Sequence, residues 1–169
     1  MATDRSARPN AIPWPPLLFA GCALAALGLH QAVPLRLAVL HATLAEYAGY
    51  FLAAAGIGLD VWAAFTMRRH HANIRPNRAA TALVTSGPFA LSRNPIYLGN
   101  TILLVGAGLA FAIAWFLPMA LLAAVLVTHL AIRREEAHLN ARFGAAWRDY
   151  AARTPRWLPR ASTRRRAAD

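Results

Sequence analysis

Runs of apolar residues close to twenty long decide what this chain can become. An α-helix rises about 1.5 Å per residue, so a run of that length crosses a hydrocarbon layer of roughly 30 Å. The sequence offers such runs at residues 14–33 and 47–67, followed by a near-continuous apolar block over 95–114 and 115–132. A soluble core in a 169-residue chain has no need of them. Composition agrees: 57% of residues are hydrophobic and 15% charged, against roughly a quarter charged in an ordinary soluble domain. The expected fold is all-α, a polytopic membrane protein with about four transmembrane helices.

Proline punctuates those runs. Pro15 and Pro16 fall in the first turn of the first span, where a missing N–H costs little, and Pro34 ends it. The block from 95 to 132 is too long for one crossing and reads as a tight helical hairpin, with Pro118 marking the start of its second arm. Past residue 132 the pattern changes. Leu139, Phe143, Trp147 and Tyr150 recur at helical spacing with Arg142, Arg148 and Asp149 between them, as in an amphipathic helix lying at the interface. Trp157 and Leu158 would add an anchor. The organisation expected is an N-terminal cytosolic tail (1–13), one membrane-embedded domain (14–158) and a basic, disordered tail (159–169).

All eighteen basic residues are arginine, and the net charge is +11. They sit beside apolar segments, where they set membrane orientation and touch anionic headgroups, so nucleic acid is not an expected partner. Arg5 and Arg8 against Asp4 leave the N-terminal flank at +1. Arg36 and Glu46 cancel in the first connection. Arg68, Arg69, Arg75, Arg78 and Arg93 give +5 between the second and third runs, and ten arginines against four acids give +6 after the fourth. Positive flanks stay in the cytosol. Both termini and the 68–94 segment are therefore expected on the cytosolic side of a bacterial inner membrane.

The single cysteine, Cys22, excludes an intramolecular disulfide and is expected to be a packing residue. The first run continues past it to Val33, so a retained span is expected and not a cleaved signal. His70 and His71 are expected at lipid headgroups. No metal site is expected, since metal sites gather three or four convergent donors. Asp60, ionisable inside a span, is a weaker functional candidate, to be found either near the interface or paired with an arginine.

Two stretches carry chemistry. In Ser86-Gly87-Pro88-Phe89-Ala90-Leu91-Ser92-Arg93-Asn94-Pro95-Ile96-Tyr97-Leu98-Gly99, Asn94 and Pro95 make a good cap and first position for a helix. Arg93 and Tyr97 go beyond what a helix start requires, since they stand where the helix leaves the cytosol. Arginine offers five fixed donors to a carboxylate or phosphate, and tyrosine a polar tip on an apolar body. In Arg133-Arg134-Glu135-Glu136, two carboxylates follow a membrane helix. They either pair with the neighbouring arginines on a solvated face, or share a cationic ligand or Arg93. His129, Arg133 and Glu136 would fall on one α-helical face.

Taken together, Leu83 to Phe89, Arg93-Asn94-Pro95-x-Tyr97-x-Gly99, Glu135-Glu136-x-x-Leu139, Phe143-Gly144, Tyr150 and the closing Arg156-Trp157-Leu158 resemble the integral-membrane methyltransferases. These include isoprenylcysteine carboxyl methyltransferases and phospholipid methyltransferases, and the resemblance covers roughly residues 48–158. Many members carry histidine where this chain has Asn94. The amide keeps a hydrogen-bonding side chain and removes the titrating group.

The resemblance implies an S-adenosylmethionine-dependent methyltransferase with a lipophilic or lipid substrate, its cofactor pocket built from the last two spans and the polar segments beside them. Arg93 and Glu136 would be catalytic. Asn94, Pro95, Tyr97, Gly99, Glu135 and Glu136 would bind cofactor. The cofactor's chemistry agrees: Glu135 or Glu136 suits its ammonium, Arg93 or Arg133 its carboxylate, and Tyr97 the adenosyl portion or the sulfonium face. Whether an oxygen or a nitrogen is methylated stays open, as does the oligomeric state. An NADPH-dependent reductase of the sterol-reductase type would share Arg93, Pro95 and Tyr97 but leaves the Glu-Glu pair without a role. A non-enzymatic membrane scaffold is the remaining alternative.

Overall fold

A computed structural model describes residues 14–72 and 82–158 of the chain. The expected tails 1–13 and 159–169, and with them Arg75 and Arg78, lie outside the described residues. All regular structure among the described residues is helical: α1 (Trp14–Ala32), α2 (Thr43–Arg69), α3 (Pro95–Ala110), α4 (Phe116–Val127), α5 (Arg133–Phe143) and α6 (Ala145–Arg153). Single 3₁₀ turns at Ala38–His41 and Gly87–Ala90 precede α2 and α3. A π-helical turn, Thr128–Ile132, joins α4 to α5, so that Phe116–Phe143 is one 28-residue rod.

Among the described residues three helices are long and apolar enough to cross a membrane: Pro15–Ala32, Thr43–Arg69 and Phe116–Phe143. The fourth apolar helix, α3, has 16 residues, about 24 Å at the usual rise, and is shorter than the run from which it was expected. The hairpin needs residues in which to reverse. Ala112 takes up a left-handed φ of 51°, and the Ile113 N–H returns to the Gly108 carbonyl at 2.9 Å, closing α3 before α4 begins. Large apolar side chains cover the outside of the bundle. Leu24, Leu44, Phe51 and Leu121 are 68–80% exposed, an outer surface suited to lipid and not to water.

The helices alternate in direction. Gly49, near the start of α2, meets Ala110 at the end of α3, while Gly56 meets Gly99 and Leu103. A Cβ on Gly56 would lie 2.6 Å from the Gly99 carbonyl oxygen, so the two backbones touch directly, in the manner of small-residue membrane contacts. On the other side, Phe19, Cys22 and Ala26 of α1 pack with Leu104 and with Ala120, Ala123, Val127 and Ala131 along the α4 rod. The Trp115 indole N–H donates to the Val33 carbonyl at 2.8 Å, tying the end of α1 to the start of α4. Cys22 is thus a buried packing residue. The starts of α1 and α3 and the ends of α2 and the rod therefore share one face, the polar end of the bundle.

Past residue 132 the expected single amphipathic helix is two helices, the first continuous with the rod. Gly144, at φ 52°, breaks the pattern between α5 and α6, a conformation that glycine adopts without the steric cost of a Cβ. The break turns Trp147 and Tyr150 inward, and both are buried. They cover the entry to α3 instead of lying on lipid.

Candidate functional site at the polar end

The segment before α3 is built to be gripped from both sides. Gly87, at φ 60°, opens the 3₁₀ turn, and Ser92, 1% exposed, closes it. The Ser92 Oγ accepts the Asn94 N–H at 3.2 Å and donates to the Arg156 carbonyl at 3.2 Å. The Arg93 N–H donates to the Pro155 carbonyl at 2.9 Å. Asn94 does occupy the position preceding α3, but its side chain makes no cap bond. Its Nδ2 donates to the Arg156 carbonyl at 3.0 Å instead. The C-terminal return is the stronger competitor, because it offers a carbonyl that the fold has already brought within reach.

That return also delivers a charge. Arg156 grips Glu136 with a two-pronged contact, Nε to Oε1 at 2.9 Å and Nη2 to Oε2 at 2.6 Å, the fork-on-fork geometry that makes arginine–carboxylate pairs strong and directional. This bonding to Glu136 holds the Arg156 guanidinium above its ordinary pKa. From the other side, Arg93 Nη1 stands 3.0 Å from Glu136 Oε1. One carboxylate is therefore clamped by two guanidinium groups. Its neighbour Glu135 accepts the Tyr97 hydroxyl at 2.8 Å. Neither carboxylate pairs with Arg133 or Arg134, which are exposed.

The π-helical turn explains why periodicity misplaced this cluster. It widens the register at Thr128–Ile132, so His129, Arg133 and Glu136 do not stack on one α-helical face. The Thr128 hydroxyl, donating to the Ala124 carbonyl at 2.7 Å, accompanies the distortion as such back-bonding does.

Aromatic rings form the cover. The Arg93 guanidinium lies over the Trp147 ring at 5.7 Å, within reach of a cation–π attraction. Trp147 meets Tyr150 edge-on at 5.6 Å, and the Tyr150 hydroxyl donates to the Phe89 carbonyl at 2.7 Å. Burial raises the Tyr150 pKa, with Arg93 opposing it. Among the described residues, Arg93 Nε and His138 Nε2 are both buried without a hydrogen-bond partner.

The fold thus brings together Arg93, Asn94, Tyr97, Glu135 and Glu136, with Pro95 fully buried at the first turn of α3. Gly99 is placed elsewhere. A Cβ there would collide with the Asp60 carboxylate and the Gly56 backbone, so this glycine serves the α2–α3 contact. Among the described residues Asp60 has no arginine partner; Asn100 Nδ2 donates to its Oδ2 at 3.2 Å. Sequence reasoning gave Arg156 and Ser92 no part in the site, and placed Trp147 on an interfacial helix face. The closing Arg156-Trp157-Leu158 was the available signal, an arginine beside aromatic and aliphatic anchors after the last helix.

Comparison with known proteins places the chain in a class. Residues 44–146 match the phospholipid methyltransferase family, and the chain belongs to it: an all-α membrane protein of methyltransferase-like type. Among individual relatives, it is 39% identical over 85 residues to the nickel-cobalt-cadmium resistance protein NccN of Alcaligenes xylosoxydans xylosoxydans. It is 35% identical over 85 residues to the cobalt-zinc-cadmium resistance protein CzcN of Cupriavidus metallidurans. In each case the match covers 50% of this chain and 39% of the relative, so the chain spans about two-fifths of the length of the curated relatives it matches.

Proposed function

We propose that the protein transfers a methyl group from S-adenosylmethionine to a lipophilic, membrane-partitioned acceptor, of isoprenylcysteine-carboxylate or phospholipid-amine type. The observation that carries this reading is the Arg93–Glu136–Arg156 clamp beside Tyr97–Glu135, at the mouth of a membrane bundle in a methyltransferase family. The residues fit the cofactor. Arg93 Nε is a buried donor with no partner, suited to the methionyl carboxylate. Glu135, engaged by the neutral Tyr97 hydroxyl, suits the ammonium. When bound, S-adenosylmethionine supplies an electrophilic methyl carbon on a sulfonium.

The chain's own part is positional. Arg156 holds Glu136, Glu136 holds Arg93, and the aromatic cover over Arg93 keeps water from the reacting atoms. A carboxylate acceptor would be oriented by Arg93, and an amine acceptor would attack as its neutral lone pair, with a carboxylate of the site taking the proton it releases.

The full chain in detergent should be stabilised thermally by S-adenosylhomocysteine and not by NADPH. Glu135→Gln and Tyr97→Phe should weaken that stabilisation while leaving the unliganded protein folded. Stabilisation by NADPH instead would assign the reductase reading, and no response to either ligand the scaffold reading. We further propose an inner-membrane location with the polar end cytosolic. Reporters fused at the C-terminus and beside Leu40 should report opposite sides, and a cytosolic signal at Leu40 would reverse the orientation.

A further inference from the structure

A second polar feature lies apart from the carboxylate cluster, where α2 leaves the bundle. The last turns of α2 and the start of the 86–94 segment enclose an open cleft of about 320 Å³, at the small end of the roughly 300–1,000 Å³ range of ligand sites. Its lower wall is apolar and faces outward: Trp62 and Phe65 are 46% and 52% exposed. Its rim is polar. The Arg69 guanidinium sits over the Phe65 ring at 4.4 Å, and His70 Nε2 and Ser86 Oγ are 2.9 Å apart.

The cleft is open because residue 87 is glycine. A Cβ at Gly87 would come within 3.0 Å of Thr66 Oγ1, which belongs to the opposite wall. The Thr66 hydroxyl donates to the Trp62 carbonyl at 2.9 Å, so the donors left for a ligand are those of the rim. Among the described residues no carboxylate lines the cleft.

This combination selects a chemistry. A guanidinium with an imidazole–hydroxyl pair above an outward-facing indole and phenyl suits a molecule with an anionic head and an apolar tail. An amine-bearing acceptor would want a carboxylate, and Glu135 and Glu136 belong to the other cluster. The charge favours an anion, since Arg68 and Arg69 end α2 and each arginine near a membrane surface adds about 1 kcal/mol of attraction to anionic lipid. The volume accommodates a headgroup, with the acyl chains left to run down the exposed flank of α2.

We propose that this cleft binds the headgroup of an anionic membrane lipid as a bound, unreacted ligand, with Arg69, His70 and Ser86 at the headgroup and Trp62 and Phe65 against its chains. The proposal stands independently of methyl transfer, because its test reads binding alone.

The full chain, purified in an uncharged detergent, would be titrated with phosphatidylglycerol and individual lipid adducts followed by native mass spectrometry. Arg69→Gln should weaken the first adduct about fivefold, the loss expected for one basic contact with an anionic headgroup. Arg148→Gln makes the same charge change on exposed α6 and should leave the first adduct unchanged. Ser86→Ala, at an exposed turn, should weaken it too, and Arg69→Lys should restore part of the affinity. Equal losses in the Arg69 and Arg148 variants would reduce the effect to general attraction and overturn the site. So would phosphatidylcholine binding as tightly as phosphatidylglycerol. Competition by inorganic phosphate at millimolar concentration would make this an ion site and overturn the lipid assignment.

Discussion

The α2–α3 contact and the polar end are held by opposite means. Along α2 and α3 the backbones approach until Gly49, Gly56, Gly99 and Gly106 leave no room for a Cβ, and a polar side-chain contact between them joins Asn100 to Asp60. At the polar end almost every tie is a hydrogen bond or ion pair between side chains and carbonyls far apart in sequence. Apolar lipid gives helices no hydrophobic reason to associate, so close van der Waals packing must supply it. Where the bundle meets water, charge-assisted bonds can be made and remade. The difference teaches that substitutions in the first region should act on folding, and those in the second on ligand binding and turnover with the bundle intact.

The sharpest way to break the comparison uses two glycines two positions apart in α2. A Cβ on Gly56 would meet the Gly99 carbonyl and the Leu103 backbone, whereas nothing lies within 4 Å of one on Gly58. Gly56→Ala should cost about 3 kcal/mol, the upper end for overpacking because backbone cannot move aside as a side chain does. Gly58→Ala should cost nothing, since alanine is the better helix former. Unfolding in mixed micelles with rising denaturing detergent would read both, and equal losses would show that the glycine contact is not what holds the helices.

At the polar end the largest effect should appear in chemistry. Arg93→Lys keeps the charge but loses the planar fork. If Arg93 orients an anionic group during transfer, single-turnover rate should fall roughly 10- to 100-fold, about 1.4–2.7 kcal/mol of transition-state stabilisation, far more than cofactor affinity falls, while melting temperature holds. A parallel fall in all three would make Arg93 a structural strut and erase the contrast between the regions.

Glu136→Gln probes the clamp itself. It removes the charge shared by Arg93 and Arg156 but preserves shape. Breaking a fully buried pair costs about 3–5 kcal/mol, but the Arg156 side chain is 36% exposed, so water screens part of the loss. About 1.5 kcal/mol is expected, at the low end for bonds to charged groups, and it should be local. Tryptic cleavage after Arg153 should accelerate about tenfold while the α2–α3 contact keeps its unfolding midpoint.

How much of this could be read from the sequence follows the same division. The spans were legible because length and hydropathy are local properties. The site was legible as a set of residues: Arg93, Tyr97, Glu135 and Glu136 do converge. Its wiring was not. Asn94 looks like a helix cap because capping is a local rule, and a carbonyl at residue 156 displaces it. The Glu-Glu pair could meet Arg133 and Arg134 or share Arg93, and local rules do not choose; the fold gives it Arg93, and the C-terminal return adds Arg156, which no spacing in the sequence brings near. Asp60 was legible as unusual, but its partner lies on a neighbouring helix whose register no single-helix periodicity reveals.

The smallest expected effect tests whether the aromatic cover is part of the polar end's wiring or only its roof. Tyr150→Phe removes one hydroxyl, which donates to the Phe89 carbonyl at 2.7 Å, and keeps the edge-on ring contact with Trp147. A neutral hydrogen bond of this kind contributes about 0.5–1.5 kcal/mol. Its pH dependence is the discriminating signature. Burial raises the folded-state pKa of Tyr150, while in the unfolded chain the phenol titrates near its ordinary value of about 10. A group whose folded pKa is raised contributes stability that is complete below the unfolded value and is lost as pH climbs towards the folded one. The melting temperature of the wild-type protein should therefore exceed that of Tyr150→Phe by a constant margin from neutrality to about pH 9, and the margin should shrink above about pH 10. A margin that stays flat through that range would mean the hydroxyl is not held protonated against Phe89, leaving Tyr150 as an apolar lid over Arg93 with no hold on the segment that carries it.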